Sequence, residues 1–216
     1  MKFVLFVEGH TERKALPDFI RRWLYSRLAQ RVGIKAVRFE GWAELWRDAP
    51  LRVQKYLGGP DAEDIIGVIS LLDLYGPTIY PQNQRTAQDR YAWARNELEK
   101  RVGDPRFRHF FAVHETEAWL LSQPEIFHAA VRKALRSKAA QPEGVNFDEP
   151  PAKLLDRIYR TELKQTYKKV VHGKALFDKL DPAAACEKCP RLKELLDEML
   201  KMAQAAQSLD ADTPAN

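Results

Sequence analysis

The feature that most constrains the fold is an alternation of short apolar segments with longer segments of helical periodicity. Segments 2–7, 34–39, 65–72 and 107–113 are apolar, short and rich in β-forming residues, as expected of buried strands. Helical spacing of apolar residues follows each of the first three strands and predicts one helix from an N-cap at Thr11 to about residue 31, a second over about 46–57 and a third over 85–102. A further helix is expected to begin at Glu115 after the fourth strand. This alternation predicts an open parallel sheet flanked by helices.

The character of the sequence changes near residue 140. The connection over 140–151 is rich in Pro, Gly, Asp and Glu, and the sequence after it has helical features without strands. We therefore predict an α/β core over 1–140, a helical extension over 141–205 packed on it, and a disordered tail over 206–216.

The composition is that of a basic globular protein. The net charge is +5 and the isoelectric point is about 9.1. This balance is compatible with a polyanionic partner, although solvated helix faces explain it equally well. No apolar run approaches the roughly 20 residues of a membrane span, and the first apolar stretch is too short for a signal peptide. We expect a cytoplasmic protein without a membrane partner.

A single CxxC motif, Cys186 to Cys189, stands before Pro190. One pair of thiols cannot complete a tetrahedral zinc site, and in a reducing compartment it is not a disulfide framework. The favoured interpretation is a turn at a helix end. A redox role or a zinc role is the alternative.

Acidic residues follow three of the predicted strands: Glu8, Asp73 and Glu115, with Glu12 one helical turn beyond Glu8. Ligands of open parallel sheets bind outside the carboxyl ends of the strands. Grouped carboxylates repel one another unless a cation or a proton compensates them, and oxygen-only ligands favour Mg²⁺ or Mn²⁺. Such ions activate water and stabilise the leaving oxygen in phosphodiester cleavage.

Each acid also has a structural interpretation. Glu8 and Glu12 are favourable charges near a helix N-terminus, and Asp73 is able to cap the following loop. Glu115 and Glu117 are acids in the first turn of a predicted helix. Because all of them fall at one predicted edge of the sheet, a functional site is favoured.

Residues 6–12 (FVEGHTE) resemble the opening motif of Toprim domains, in which a glutamate ends the first strand and Gly and a further acid lead into a helix. Asp73, after GVISLLD, is similar to the first aspartate of the Toprim Asp-x-Asp element. The rest of the chain resembles an uncharacterised bacterial Toprim-related family, a domain of unknown function, over most of 3–200. The motifs that carry this resemblance are LLDLYGPTIYP, FFAVHETEAWLLSQPEIF, YKKVVHGKALFDKLD and CEKCPRLKELL.

The resemblance implies a Toprim-like (Rossmann-like) core with a C-terminal helical extension. Related proteins in bacterial defence islands, including nucleases of the overcoming-lysogenization-defect type, use such cores for metal-dependent cleavage and work with an ABC-like ATPase. We therefore expect a Mg²⁺- or Mn²⁺-dependent nuclease subunit that hydrolyses DNA or RNA in antiviral defence. The sequence has no phosphate-binding P-loop, so the ATPase is expected to be a separate subunit.

One position departs from the Toprim pattern, because the second aspartate falls at Tyr75, and tyrosine is a poor Mg²⁺ ligand. We expect Glu115 or Glu117 to supply the missing carboxylate; a single-ion site or a degenerate core is the alternative. Glu12 or Glu117 is expected to complete the shell or to act as the base. The expected metal ligands are Glu8, Asp73 and Glu115.

Three lysines, Lys168, Lys169 and Lys174, are expected to contact nucleic acid, with Lys169 at the scissile phosphate. A solvated helix face is the alternative for each. His114 is a candidate base or phosphate-orienting group, whereas His10 is interpreted as a polar loop residue. Two rival functions stay open: a non-catalytic subunit that binds nucleic acid or an ATPase, and phosphoryl chemistry on a nucleotide or small phosphate ester.

Overall fold

The computed structural model describes residues 1–135, 140–144 and 149–211. Its four-stranded sheet has the order β2-β1-β3-β4, and all neighbouring strands are parallel. This confirms the predicted open parallel sheet, with the most apolar strand in a central position. The strands are β1 (Lys2–Val7), β2 (Gly33–Arg38), β3 (Ile65–Asp73) and β4 (Phe107–Ala112).

Helices cover both faces of the sheet. Successive side chains of each strand point to opposite faces, so each strand has apolar side chains on both. On one face, Phe3 and Leu5 of β1 pack with α1 (His10–Tyr25) and with helices from the end of the chain. On the other face, Val4 and Phe6 pack in a second apolar cluster formed with the next two helices. These helices are α2 (Trp42–Leu57) and α3 (Ala87–Val102).

The strand order creates a topological switch point between β1 and β3. From β1 the chain crosses through α1 to β2 on one side, and then returns through α2 to β3 on the other side of β1. The two crossovers therefore place α1 and α2 on opposite faces of the sheet. The carboxyl ends of β1 and β3 open into the crevice where proteins of this architecture bind ligands.

The chain after β4 is helical in the part that the structure describes. Its helices are α4 (Glu117–Leu121), α5 (Ala129–Leu135), α6 (Pro151–Leu163), α7 (Lys174–Lys179), α8 (Pro182–Lys188) and α9 (Pro190–Ala211), with a π-helical turn over Lys169–Gly173. Several share the apolar core on the α1 face of the sheet, and Arg108 of β4 pairs with Glu198 of α9 at 2.9 Å. The division of the chain at residue 140 stays a prediction.

Helix ends differ from the predicted ones where local capping decides them. The N-cap of α1 is Gly9 rather than Thr11, which lies buried inside the first turn. The helix ends at Tyr25 rather than near residue 31, because Ser26 Oγ and the Arg27 guanidinium bind the carbonyl of Trp23 at 3.1 and 3.0 Å.

Three other boundaries also shift. Glu115 precedes α4, which begins at Glu117, and α2 begins at Trp42 rather than near residue 46. Helix α9 continues to Ala211, inside the segment predicted as a tail, and residues 212–216 lie outside the described part. Across the described ranges, no helix combines the length and apolarity that crossing a membrane requires.

The two cysteines lie at the junction of α8 and α9, as the helix-end interpretation predicts. Cys189 is the C-cap of α8, and Pro190 begins α9. Both thiols are free and buried. Burial raises the pKa of Cys186 to about 12 and also raises the pKa of Cys189, so both stay protonated at neutral pH.

Candidate active site

Two carboxylates meet at the switch point. Glu8 directly follows β1 and Asp73 ends β3, so the parallel pairing of these strands brings both to one edge of the sheet. Glu8 is partly buried; burial and the nearby Glu12 carboxylate raise its pKa to about 7, although Asp73 and Lys169 oppose the rise. Burial, followed by the charges of Glu8 and Glu12, raises the pKa of Asp73 well above its usual value.

The carboxylate of Glu12 folds back from the first turn of α1 into the same space, where it is 6% exposed. Its Oε1 accepts a hydrogen bond of 3.1 Å from the hydroxyl of Thr116. A Cβ atom at Gly9 would lie only 2.0 Å from Glu12 Oε2. Because Gly9 has no side chain, there is room for this carboxylate. The sequence signal for this role is the glycine between Glu8 and Glu12, which sequence reasoning missed.

Thr116 ties the end of β4 to the acids that follow β1 and β3. Its backbone N–H donates to Asp73 Oδ1 at 3.2 Å, while its hydroxyl donates to Glu12. The segment reaches this position because His114 adopts a left-handed conformation with φ 67° and turns the chain at the end of β4. Sequence reasoning missed Thr116; its place between the two glutamates of the HETE motif is the only sequence signal that points to it.

Glu117 is the most deeply buried acid of the site, with 0% exposure. Neither of its carboxylate oxygens makes a hydrogen bond of good geometry, and Lys169 Nζ lies 3.3 Å from Oε2. Burial raises its pKa to about 7; Lys169 opposes this, and Glu12 and Glu115 add to it. We call Glu8, Glu12, Asp73 and Glu117 the acidic cluster.

Glu115 lies at the rim of the acidic cluster, and both of its oxygens have protein partners. Lys169 Nζ is 3.0 Å from Oε1, and the backbone N–H of Ala152, at the start of α6, donates to Oε2 at 2.8 Å. Burial lowers the pKa of Lys169, but the negative charges of Glu117, Asp73 and Glu115 raise it by more than burial lowers it. The pKa of Lys169 therefore lies above its usual value. Lys169 is thus a permanent cation beside the cluster.

The other two lysines of the predicted set have different surroundings. Lys174 pairs with Asp178 on its own helix at 2.7 Å. Lys168 has an exposed side chain, and its backbone N–H donates to His172 Nδ1 at 2.8 Å. Of the three lysines, Lys169 is the one that the structure brings to the acidic cluster; nucleic-acid contacts by Lys168 and Lys174 stay a prediction.

Two further predicted positions lie close by. His114 is buried, and burial lowers its pKa while Glu115 opposes the change, so the imidazole is neutral at pH 7. Tyr75, at the position of the second Toprim aspartate, is 37% exposed, and its backbone N–H donates to the carbonyl of His114 at 3.1 Å. His10 is exposed, in agreement with a polar loop position.

The chemistry of the acidic cluster fits a hard divalent cation. Within the described ranges, no three His, Cys, Asp or Glu side chains are arranged to hold one ion together. Mg²⁺, however, typically uses one or two carboxylates and keeps waters and substrate phosphates as its other ligands. Glu8 and Asp73 suffice for such a site. Because Glu115 already binds Lys169 and Ala152, its role as a ligand stays a prediction.

The fold and site together define an open parallel α/β protein with a buried acidic cluster at its switch point. The chain belongs to the family described as Domain of unknown function (DUF4276), which matches residues 7–200. The match confirms the prediction, made from the motifs, that the chain belongs to an uncharacterised family. No curated protein matches the chain significantly.

Two solved structures are similar to this chain over nearly its whole length. The C-terminal region of the Burkholderia pseudomallei OLD protein is 20% identical with a TM-score of 0.49, and the alignment covers 94% of this chain and 98% of that chain. The C-terminal region of the Xanthomonas campestris pv. campestris OLD protein is 17% identical with a TM-score of 0.48, and the alignment covers 98% of both chains.

Proposed function

We propose that this chain is a divalent-metal-dependent nuclease that hydrolyses phosphodiester bonds at the acidic cluster. The observation that carries the proposal is the meeting of four carboxylates and one lysine at the carboxyl edge of β1, β3 and β4. Burial and mutual repulsion raise the pKa values of three of these acids. Strongly perturbed acids in a cleft are typical of functional sites, because a fold gains nothing from burying like charges together.

Glu8 and Asp73 would hold Mg²⁺ or Mn²⁺, since they follow adjacent strands and lie side by side at the switch point. When bound, the ion supplies charge stabilisation to the phosphate oxygens and acidifies a water molecule. Thr116 keeps Asp73 and the neighbouring Glu12 in place through its two hydrogen bonds, so one ligand and one adjacent acid are positioned before substrate binds.

The remaining groups divide the work of hydrolysis. Glu117, with a pKa raised to about 7, is suited to accept a proton from the attacking water near neutral pH. Lys169 carries a fixed positive charge at the rim, beside Glu115 and Glu117, and would stabilise the negative charge that grows on the phosphate. His114, neutral and next to Glu115 in sequence, is a second candidate for the proton transfer.

The same proposal includes the biological setting. The resemblance of FVEGHTE to the opening motif of Toprim domains, a core that nucleases of the overcoming-lysogenization-defect type use, favours a subunit of a prokaryotic anti-phage system, acting in the cytoplasm on DNA or RNA. An ABC-like ATPase subunit would be the partner. Co-purification with an ATPase encoded beside this chain would test that part separately from the chemistry.

The chemistry is tested by incubating end-labelled DNA and RNA oligonucleotides with the protein in Mg²⁺, in Mn²⁺ and in EDTA. We expect cleavage with either metal and none in EDTA, and Glu8→Ala should abolish it with an unchanged circular dichroism spectrum. Glu187→Ala, an exposed position on α8, is the matched control. Equal cleavage by Glu8→Ala and the wild type would remove the acidic cluster from the mechanism.

A second candidate function is a catalytically degenerate subunit that binds nucleic acid or the ATPase. Tyr75 in place of an acid favours this alternative. So does the pairing of Glu115 and Glu117 with Lys169, because these acids then compensate a lysine rather than a shared metal ion. Isothermal titration with Mn²⁺ separates the two. A heat of binding that Asp73→Asn removes supports the nuclease, and oligonucleotide binding without any metal binding supports the degenerate subunit.

A further inference from the structure

A cleft of about 580 Å³ lies directly beside the acidic cluster. One wall is the solvent-facing side of α6, and Glu115 and Lys169 form the end of the cleft that meets the cluster. The α6 residues that bring charge to it are Lys153, Asp156, Arg157 and Arg160. None of these four has a role in the proposed chemistry.

The three basic residues of α6 form a line that starts at the cluster. Lys153, Arg157 and Arg160 are spaced so that they fall on one face of the helix, over a length of about 10 Å. The line is anchored at its first end, because the N–H of Ala152 binds Glu115 and the other oxygen of Glu115 binds Lys169. A strand whose reacting phosphate is at Lys169 would therefore continue along α6.

The lining of the cleft is mostly cationic. Four cationic and two acidic side chains line it, and Glu149 and Glu117, outside the lining, also pair with Arg157 and Lys169. Arg157 pairs with Glu149 at 2.5 Å and Arg160 with Asp156 at 2.8 Å, but these are exposed pairs, which contribute little and leave the guanidinium groups open to a phosphate. Lys153 is exposed, and within the described residues no ion pair or side-chain hydrogen bond engages it.

We propose that this face of α6 binds the sugar–phosphate backbone of the nucleic acid strand to one side of the cleaved bond. The inference rests on the proposed function and makes it more specific. At about 3.4 Å of rise per nucleotide, a helix face of about 10 Å spans roughly three phosphates. The substrate is therefore a polynucleotide strand rather than a mononucleotide. Helix α6 contacts the backbone of this strand and not its bases.

The test measures binding apart from cleavage. Fluorescence anisotropy with a labelled 20-nucleotide DNA strand, its duplex and the matching RNA is recorded for the full chain in EDTA. Lys153→Glu should weaken binding on the order of tenfold. A plot of log K against the logarithm of the salt concentration should also become less steep. Its slope should change by about one unit for each phosphate that the variant no longer neutralises. Lys153→Arg should bind as the wild type does.

The control is Lys201→Glu, an exposed lysine of α9. Its neighbour Met202 packs at Gly67, near the start of β3 and so at the edge of the sheet opposite Asp73. This control should bind as the wild type does. Equal affinity of Lys153→Glu and Lys201→Glu overturns the proposal, and so does a wild type that binds no strand in any of the three forms.

The outcome is independent of the proposed chemistry. Lys201→Glu, on the far side of the sheet, should hydrolyse bis(p-nitrophenyl) phosphate at the wild-type rate, while Glu8→Ala should lose hydrolysis and still bind the strand. If the wild type cleaves nothing, the nuclease proposal fails and the anisotropy data still decide on α6.

Discussion

Glu143 and Glu117 are both withdrawn from solvent, but their surroundings are opposite. Glu143 accepts hydrogen bonds from the backbone N–H groups of Arg191 and Leu192, at 3.0 and 3.2 Å, at the start of α9. Glu117 makes no such bonds and is surrounded by other acids, with Lys169 as its nearby cation. A carboxylate at a helix N-terminus stabilises the helix, because it meets unpaired N–H groups and the positive end of the helix dipole.

The difference separates a carboxylate that serves folding from one that we propose serves chemistry. Burial raises the pKa of Glu143 above its usual value, and the two backbone hydrogen bonds, which the fold itself provides, offset part of this rise. The charge of Glu117 is compensated only in part by Lys169, and its burial costs the fold stability. Substitutions at the two sites should therefore change stability in opposite directions.

The largest effect is expected from Asp73→Asn at the acidic cluster. The Asn oxygen is still able to accept the N–H of Thr116, so the fold is kept, while the negative charge of one proposed metal ligand is removed. We expect the initial rate of Mn²⁺-dependent cleavage to fall at least about 100-fold. The thermal midpoint should not fall, since a buried, repelled charge is removed. Asp178→Asn, on the surface of α7, is the control; a rate within about twofold of the wild type for Asp73→Asn would be contrary to the proposal.

Glu117→Gln should make the protein more stable at high pH. The pKa of Glu117 is about 7 in the folded state and about 4.5 when unfolded, so the folded state binds more protons between these values. The contribution of Glu117 to wild-type stability therefore falls as the pH rises from about 4.5 through 7. The variant lacks this titration, so its advantage should grow over that window to about 2–3 kcal/mol at pH 8.

Urea unfolding at pH 4 and pH 8 measures this difference. Glu187→Gln, on an exposed part of α8, should show no such growth with pH. If Glu117→Gln were less stable than the wild type at pH 8, the charge of Glu117 would be serving the fold, and the contrast with Glu143 would disappear.

Glu143→Ala should act in the opposite direction. It leaves the first N–H groups of α9 without their acceptor, and we expect a loss of about 2 kcal/mol in the free energy of unfolding. Glu143→Gln keeps one acceptor oxygen and should lose less. Urea unfolding monitors both variants, and metal-dependent cleavage should stay near the wild-type rate at temperatures where they are folded. A cleavage defect in the folded Glu143→Ala would show that the two regions are not separate.

The smallest effect is expected from Gly9→Ala, which alters the cluster without removing a charge. The added Cβ would meet Glu12 Oε2 at 2.0 Å, so the carboxylate must move away from Thr116, while φ −117° at this position is open to alanine. We expect cleavage about tenfold slower, because the displaced group no longer holds its position. Gly144→Ala, where a Cβ meets only ordinary contacts from 3.6 Å, is the control in the same rate assay. An unchanged rate for Gly9→Ala would show that the position of Glu12 does not matter.

Much of the site was predictable because strand ends are encoded locally. The apolar run before Asp73 and the short strand before Glu8 both end where the structure ends them, and parallel pairing then fixes that these acids share one edge. Which acid, if either, replaces the second Toprim aspartate stays a prediction. Glu115 and Glu117 both reach the site, but Glu115 is engaged by Lys169 and the start of α6.

By itself, the sequence determined the parallel α/β sheet, its central strand and the edge that carries the acids, because periodicity and chain order act over short distances. Only the tertiary structure decided which distant groups complete the edge. Lys169, 54 residues from Glu115, reaches the cluster while Lys168 and Lys174 do not, and the basic face of α6 lies beside it. Those contacts depend on how the C-terminal helices pack on the side of the sheet that α1 covers. The same pattern of apolar residues is compatible with many such packings, so the sequence pattern does not select one of them.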